Sequence, residues 1–474
     1  MAFDIDKLLQ TGLAHHQRGE LDAAERHYRK VLTVSPRHGD ALNLMGCLYA
    51  QTHRHDGAVD FLSRAIRAAP GNTEFRYNLA YSRQMASDFE GAKADYRAIM
   101  ETDPAHTNTY LSLGEILVFD DEVDEATDIY QRVLAAPPST PESRMAQAEA
   151  HCGMGIIHHK RDALAKARQS IEQALELNSE NVRALASLGN VLRDMKDDAG
   201  SAEAFRRAVA LAPKNNRLRT NYAISLVRQQ RHEDALRELD TVLAADPRDG
   251  HAISAKAIVC WEMNRDDEFQ RLVDFDRFVH IQKYEAAPEP FADQATFHTA
   301  LADEIRHHPT IKNDRVSQST MNGQQTGEIL IDPPPAMDAF ATMIDGAVAD
   351  YVTAYPNASG TGLDWPKRWR FTAWGVILPA QGYQEAHNHP SGMVSGVYYI
   401  QVPSGFETRA GQDGWLEFGP TNDVLRCHRE PRRKAVKPEA GAMCLFPSHY
   451  WHRTIPFNDP ENRICIAFDA VPIS

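Results

Sequence analysis

Four histidines and one arginine near the C-terminal end of this chain have the types and spacing to bind a metal ion and a carboxylate. His387 and His389 stand two residues apart in QEAHNHPS. On an extended segment residues i and i+2 share a face, so both imidazoles can converge on one ion. His449 and His452 follow in FPSHYWHRTIP, after a strand-like run and a turn. Arg463 comes eleven residues after His452 and opens RICIAFD. Alternation puts Arg463, Cys465 and Ala467 on one face and Ile464, Ile466 and Phe468 on the other. A buried arginine above small side chains leaves room for a carboxylate to enter and pair at two points. Each feature alone has an ordinary reading: His428 and His449 as hydrogen-bonding residues, Arg463 as a structural ion-pair partner. The order and spacing of the set point to a metal site. Tyr399, on the strand after the two histidines, can donate a hydrogen bond to a ligand there, with core packing as its plainer role.

The elements that must position these residues are short and mostly extended. FHTALADEIRHH (297–308) and MDAFATMIDGAVADYVTAY (337–355) space their apolar residues at three and four, as helices do. Strand-like runs follow: WRFTAWGVIL (369–378), MVSGVYYIQV (393–402), GWLEF (414–418), AMCLF (442–446) and ICIAF (464–468), punctuated by Gly, Pro, Asn and Asp. Helices followed by a set of strands predict a sandwich or barrel with helices on one side, and a double-stranded β-helix, or jelly roll, fits best. Trp374 and Trp451 are expected to pack that barrel or floor its pocket. RCHREPRRKAVK (426–437) is a basic loop in an acidic chain, read as a solvated connector, with a lid or an anion contact as its sharper alternative.

A histidine pair, a distal histidine and an arginine about ten residues beyond resemble the iron(II)- and 2-oxoglutarate-dependent dioxygenases. HNHPSGMVSGVYYIQVP (387–403) and LFPSHYWHRTIPFNDPENRICIAFD (445–469) are similar to a branch of that family that carries tetratricopeptide repeats. The resemblance covers roughly residues 290–474. It implies Fe(II) held by His387, His389 and His452, 2-oxoglutarate anchored by Arg463 with a hydrogen bond from Tyr399, and O2 as oxidant. The family's usual triad has a carboxylate two residues after the first histidine, where this chain has His389. Three imidazoles also serve iron dioxygenases that do not use 2-oxoglutarate, and catalytic zinc sites. Alternatively the ion keeps His387 and His452 alone, and His389 stands behind them as a hydrogen-bonding residue.

The first half of the chain has a period of 34. Ala24, Ala58, Ala92 and Ala126 recur at that spacing, as do Pro36, Pro70, Pro104 and Pro138. Four residues after each Ala comes Tyr28, Leu62, Tyr96 or Tyr130, on the same helical face. After an insertion near 141–148 the pattern resumes through Ala167, Phe205 and Ala235, while Gly46, Ala80, Gly114, Gly155, Gly189 and Ala223 place a small residue in each first helix. Small residues let paired helices approach, a large one fills the groove, and Pro ends the second helix. This resembles the tetratricopeptide-repeat (TPR) family. It implies about seven repeats over 5–249 with a cap to about 283, and a concave groove for a peptide or protein partner. Asn78 and Asn221 stand where some TPR proteins grip a peptide backbone. The expected architecture is an all-α solenoid over 1–283 and a jelly-roll oxygenase-like domain over 284–474.

Composition narrows the alternatives. The chain has 474 residues, 43% hydrophobic and 24% charged, with a formal net charge of -14. That charge argues against nucleic-acid binding, which relies on Lys and Arg neutralising phosphates. No run is long and apolar enough to predict a membrane span. The start, MAFDIDKLLQTG, does not read as a signal peptide. Six scattered cysteines without CxxC spacing fit a reducing compartment, so a cytoplasmic location is expected. The leading expectation is a 2-oxoglutarate-dependent hydroxylase acting on a peptide or protein. Its rivals are a three-histidine metalloenzyme without that cosubstrate and a non-catalytic TPR adaptor.

Overall fold

A computed structural model describes residues 4–313, 319–356, 365–408, 411–422, 424–425 and 427–473. The first three residues of the N-terminal start and Arg426 of the basic loop lie outside this set. The chain divides into two compact units, Met1–Val191 and Leu192–Ser474.

The first unit is a run of helical hairpins from Ile5–Gln17 to Leu164–Leu177. The 34-residue pattern has a direct steric cause. A Cβ on Gly12 would stand 2.7 Å from the ring of Tyr28, and one on Gly114 would stand 2.7 Å from Tyr130. The repeated large residue therefore packs over the small residue of its own hairpin, and Tyr130 also crowds Gly153 of the next one. Ala24, Tyr28, Ala58, Leu62, Ala92 and Tyr96 are fully buried. The hairpin of Tyr130 thus closes its own crossing and offers a ring to its successor. Asn78 donates to Asn43 of the preceding hairpin (3.0 Å).

The second unit begins with helices of the same kind, from Asp198–Leu211 to Gly250–Glu262 and Asp266–Leu272, and continues into twelve strands among the described residues. They are β1 (His280–Lys283), β2 (Lys312–Asn313), β3 (Thr320–Met321), β4 (Gln324–Gln325), β5 (Trp369–Leu378), β6 (Tyr383–His387), β7 (Val394–Gln401), β8 (Leu416–Phe418), β9 (Lys434–Val436), β10 (Ala442–Pro447), β11 (His452–Thr454) and β12 (Arg463–Pro472). One sheet runs β1-β10-β7-β12-β5-β4-β2 and the other β3-β6-β11-β8-β9, with antiparallel neighbours. Together they form the jelly roll.

The long sheet has two apolar faces, as the alternation of β12 requires. Ile464, Ile466 and Phe468 pack with Tyr398 and Leu445 against helices Gln294–Arg306 and Pro335–Ala354. Cys465, Tyr399, Cys444 and Phe446 face the opposite way, into a core shared with Phe418 of the short sheet and with Phe269, Phe275 and Phe278 after the helical hairpins. The helix-to-sheet junction is therefore core. The Asp274 amide donates to Tyr450 Oη (2.9 Å), and Tyr351 Oη donates to the Phe278 carbonyl (2.7 Å).

The basic loop is docked and not a solvated connector. Arg429 lies 3.4 Å from the centroid of the Trp261 ring and pairs with Asp266 (2.5 Å). Glu262 accepts from the amides of His428 and Arg429, and Asp276 pairs with Arg432 and Lys434. Its charge answers acidic residues of the helices Gly250–Glu262, Asp266–Leu272 and Phe275–Phe278.

Candidate metal centre

The three histidines of the sequence motif come together. His387 ends β6 and pairs in register with His452 of β11, which brings their rings to 4.3 Å between centroids. His389 lies just past the strand, where its amide donates to the Ser448 carbonyl (2.9 Å). Its ring is 5.0 Å from that of His387 and 5.2 Å from that of His452. One nitrogen from each ring lies within 4.8 Å of the other two. Between the two, Asn388 points the other way and donates to Ser254 Oγ (2.8 Å) on helix Gly250–Glu262. Strand alternation thus sends neighbouring residues to opposite tasks.

Hydrogen bonds set which nitrogen each ring offers. Nδ1 of His387 donates to the Glu385 carbonyl (2.7 Å), and Nδ1 of His452 donates to the Tyr450 carbonyl (2.9 Å). Nδ1 of His389 meets Asp469 Oδ2 at 2.8 Å. With each Nδ1–H committed to an oxygen, the lone pair of each ring sits on Nε2. Nε2 of His389 is buried with no protein partner. Burial, helped by the like charge of His389, pushes the His387 imidazole down to about 3. Burial also holds His452 well below the ordinary histidine range. These rings stay neutral near pH 7, the form that coordinates metal. Trp374 stacks on His389 at 5.4 Å and 16°, and Phe446 packs edge-on to His452 at 4.8 Å. The cluster opens on a cleft of about 380 Å³ that Ser319, Gln325, Trp374 and Pro390 also line.

Arg463 is 1% exposed. Its Nη1 donates to the Gly414 carbonyl (3.1 Å) and to Thr454 Oγ1 (3.2 Å), two residues along β11 from His452. No carboxylate among the described residues pairs with it, and its Nε is buried without a partner. The guanidinium sits 4.9 Å from the centroid of the Tyr399 ring. Tyr399 Oη is likewise buried without a partner, and burial raises it above the usual phenol range. Unpaired buried polar atoms of this kind cost free energy unless a ligand completes them. The residues present therefore fit Fe(II) at the three Nε2 atoms and an anionic cosubstrate at Arg463.

Two residues read as structural keep that role. His449 Nε2 donates to the Leu272 carbonyl (3.0 Å), and His428 meets Glu262. Asp469, which sequence reasoning did not single out, is a neighbour of the cluster. The alternation that groups Arg463, Cys465 and Ala467 reaches it one step later, and that was its available signal.

Comparisons with known proteins match parts of both the helical and the strand-rich regions. Residues 9–73, 160–216 and 194–259 match models described as tetratricopeptide repeat. Residues 372–469 match the family described as "Putative 2OG-Fe(II) oxygenase". Human "Protein O-mannosyl-transferase TMTC1" is 25% identical over 234 residues, 49% of this chain and 26% of that protein. The Bos taurus "BBSome complex member BBS4" is 23% identical over 223 residues, 46% of this chain and 41% of that one. The chain thus spans less than half the length of either relative. A crystal structure of a tetratricopeptide repeat protein from Parabacteroides merdae ATCC 43184 is similar at 13% identity and a TM-score of 0.44, covering 51% of this chain and 92% of that one. This chain joins matches to the tetratricopeptide repeat, in its helical region, to a C-terminal jelly roll that matches the family described as "Putative 2OG-Fe(II) oxygenase".

Proposed function

We propose that the protein is an Fe(II)- and 2-oxoglutarate-dependent dioxygenase that hydroxylates a peptide or protein side chain. The observation that carries this reading is the pairing of two features across the two sheets: three converging imidazoles with Nδ1 committed, on and beside β6 and β11, and on β12 a buried arginine with no carboxylate partner among the described residues. Bound iron with 2-oxoglutarate and O2 supplies oxidising power for C–H hydroxylation, with succinate and CO₂ as coproducts. The chain supplies the rest. His387, His389 and His452 hold the ion in fixed orientation through their Nδ1 hydrogen bonds. Arg463 takes the cosubstrate's distal carboxylate by a charge-assisted bond, and the Tyr399 hydroxyl donates to the same ligand. Trp374 and Phe446 keep water from the rings on the sides they cover. The repeats bring the polypeptide, and helix Gly250–Glu262 touches the histidine-bearing segment through Ser254.

The test is anaerobic addition of Fe(II) and then 2-oxoglutarate. A visible charge-transfer band is expected in the wild type, absent in His387→Ala. In Arg463→Ala the band should need cosubstrate at a concentration at least tenfold higher. The third imidazole in place of the family's carboxylate favours one second reading, a three-histidine metalloenzyme that does not use 2-oxoglutarate. Metal binding without a band at saturating cosubstrate would select it.

A further inference from the structure

We infer that Asp469 is a positioning residue for the metal centre: it makes His389 the third ligand and supplies, from behind that ring, the negative charge that a ligating carboxylate would bring. This inference rests on the metal-binding reading of the three histidines. It goes beyond it by naming what orients the ring that departs from the usual triad.

The geometry carries it. Asp469 Oδ2 lies 2.8 Å from His389 Nδ1, and its other oxygen accepts from Ser395 Oγ at 2.6 Å. Ser395 Oγ is in turn 2.9 Å from Ser448 Oγ, and Ser448 accepts the His389 amide through its carbonyl. The carboxylate is buried, and among the described residues His389 is its one ion-pair partner. A buried carboxylate without a cation is costly, so a partial positive charge on the facing imidazole is favourable. A metal on Nε2 creates that charge, because coordination draws electron density from the ring and makes Nδ1–H a stronger donor. The unpartnered Nε2 of His389, aimed at His387 and His452, is the other half of the arrangement. A carboxylate–histidine–metal relay of this form orients the ring and raises its basicity. With three neutral imidazoles the ion would otherwise keep its full double charge. The chain thus moves the carboxylate one residue outward from the metal while retaining its field.

The test uses the full-length protein and Co(II), whose visible absorption reports ligand number and whose titration gives an affinity. Asp469→Asn should weaken Co(II) binding at least tenfold and change the visible band. His389→Ala should weaken it comparably, and adding Asp469→Asn to His389→Ala should cost nothing further. Ser395→Ala removes the other contact of the carboxylate but leaves His389 paired, and should change affinity less than threefold. Thermal unfolding of each metal-free variant reports whether it is folded. An Asp469→Asn protein that binds Co(II) with wild-type affinity and spectrum overturns the inference. So does one whose loss is the same with and without His389, because Asp469 would then act on the fold at large. A wild type that binds no Co(II) or Fe(II) overturns the metal reading itself and the inference with it, whereas a normal wild type with an indifferent Asp469→Asn overturns the inference alone.

Discussion

His449 sits three residues before His452 but turns away from the cluster, donating to the Leu272 carbonyl at 3.0 Å. Burial pushes its imidazole down to about 4, against about 6.5 in an unfolded chain. Between those values the unfolded chain binds a proton that the folded chain refuses. Stability from this group is therefore complete above about pH 6.5 and is lost as pH falls towards 4. The loss is about 3 kcal/mol over that window. Metal-free protein should show a falling unfolding midpoint from pH 7 to 4, with a shallower slope in His449→Gln, and equal slopes would refute the assignment. At this scale the sequence was readable where chemistry follows from spacing. His387, His389, His452 and Arg463 could be named because order and alternation are local properties. Asp469 could not be given a role, because its partner lies 80 residues away and only the sheet brings them together. Asn388 was hidden for the same reason, its bond to Ser254 spanning 134 residues.

Elements differ in how much of themselves they show. β5, β7, β10 and β12 are the long apolar strands, all but β10 with β-branched residues, and their runs predict them to within a residue or two at most ends. β8 and β11 have three residues each, and β11 exists because β6 and β8 pair with it on both sides. No local pattern of three residues specifies that. Helix Gly250–Glu262 falls in the stretch expected to cap the repeats, yet its contact with the histidine-bearing segment was not legible. A Cβ on Gly250 would stand 2.7 Å from the Pro390 carbonyl oxygen and 3.0 Å from its Cα, backbone atoms that cannot rotate aside. Gly250→Ala must therefore displace either the helix or the segment that follows His389. The expected cost is about 1–3 kcal/mol in stability, together with weaker Co(II) binding. Thermal melts and a Co(II) titration measure both, and wild-type values in the two would show that the helix is no brace.

For the molecule as a whole, the division between helices and sheets is not a division between cores. The compact unit that holds the jelly roll starts at Leu192, inside the helical array. Phe269, Phe275 and Phe278 are buried in the same cluster as Phe418, Phe446 and Tyr450. Removing residues 192–283 would take away Phe269, Phe275 and Phe278, expose their aromatic neighbours and strand the Tyr450 and Tyr351 hydroxyls. Residues 192–474 should accordingly melt in one cooperative transition, whereas 284–474 should lack one and bind a hydrophobic dye. Calorimetry of the two fragments decides it, and a cooperative transition in the shorter piece would contradict the shared core. The order of strands and helices was legible from periodicity, but this fusion was not, since a repeat motif says nothing of what its last member leans on. Asn388, wedged between His387 and His389 and tethered to Ser254, has one further consequence. On the proposed function, a polypeptide ligand that shifted Ser254 would shift Asn388 and the two histidines that flank it. If the proposed metal site is correct, reciprocity would then make the bound ion alter that ligand's affinity by the same factor, through a single amide side chain.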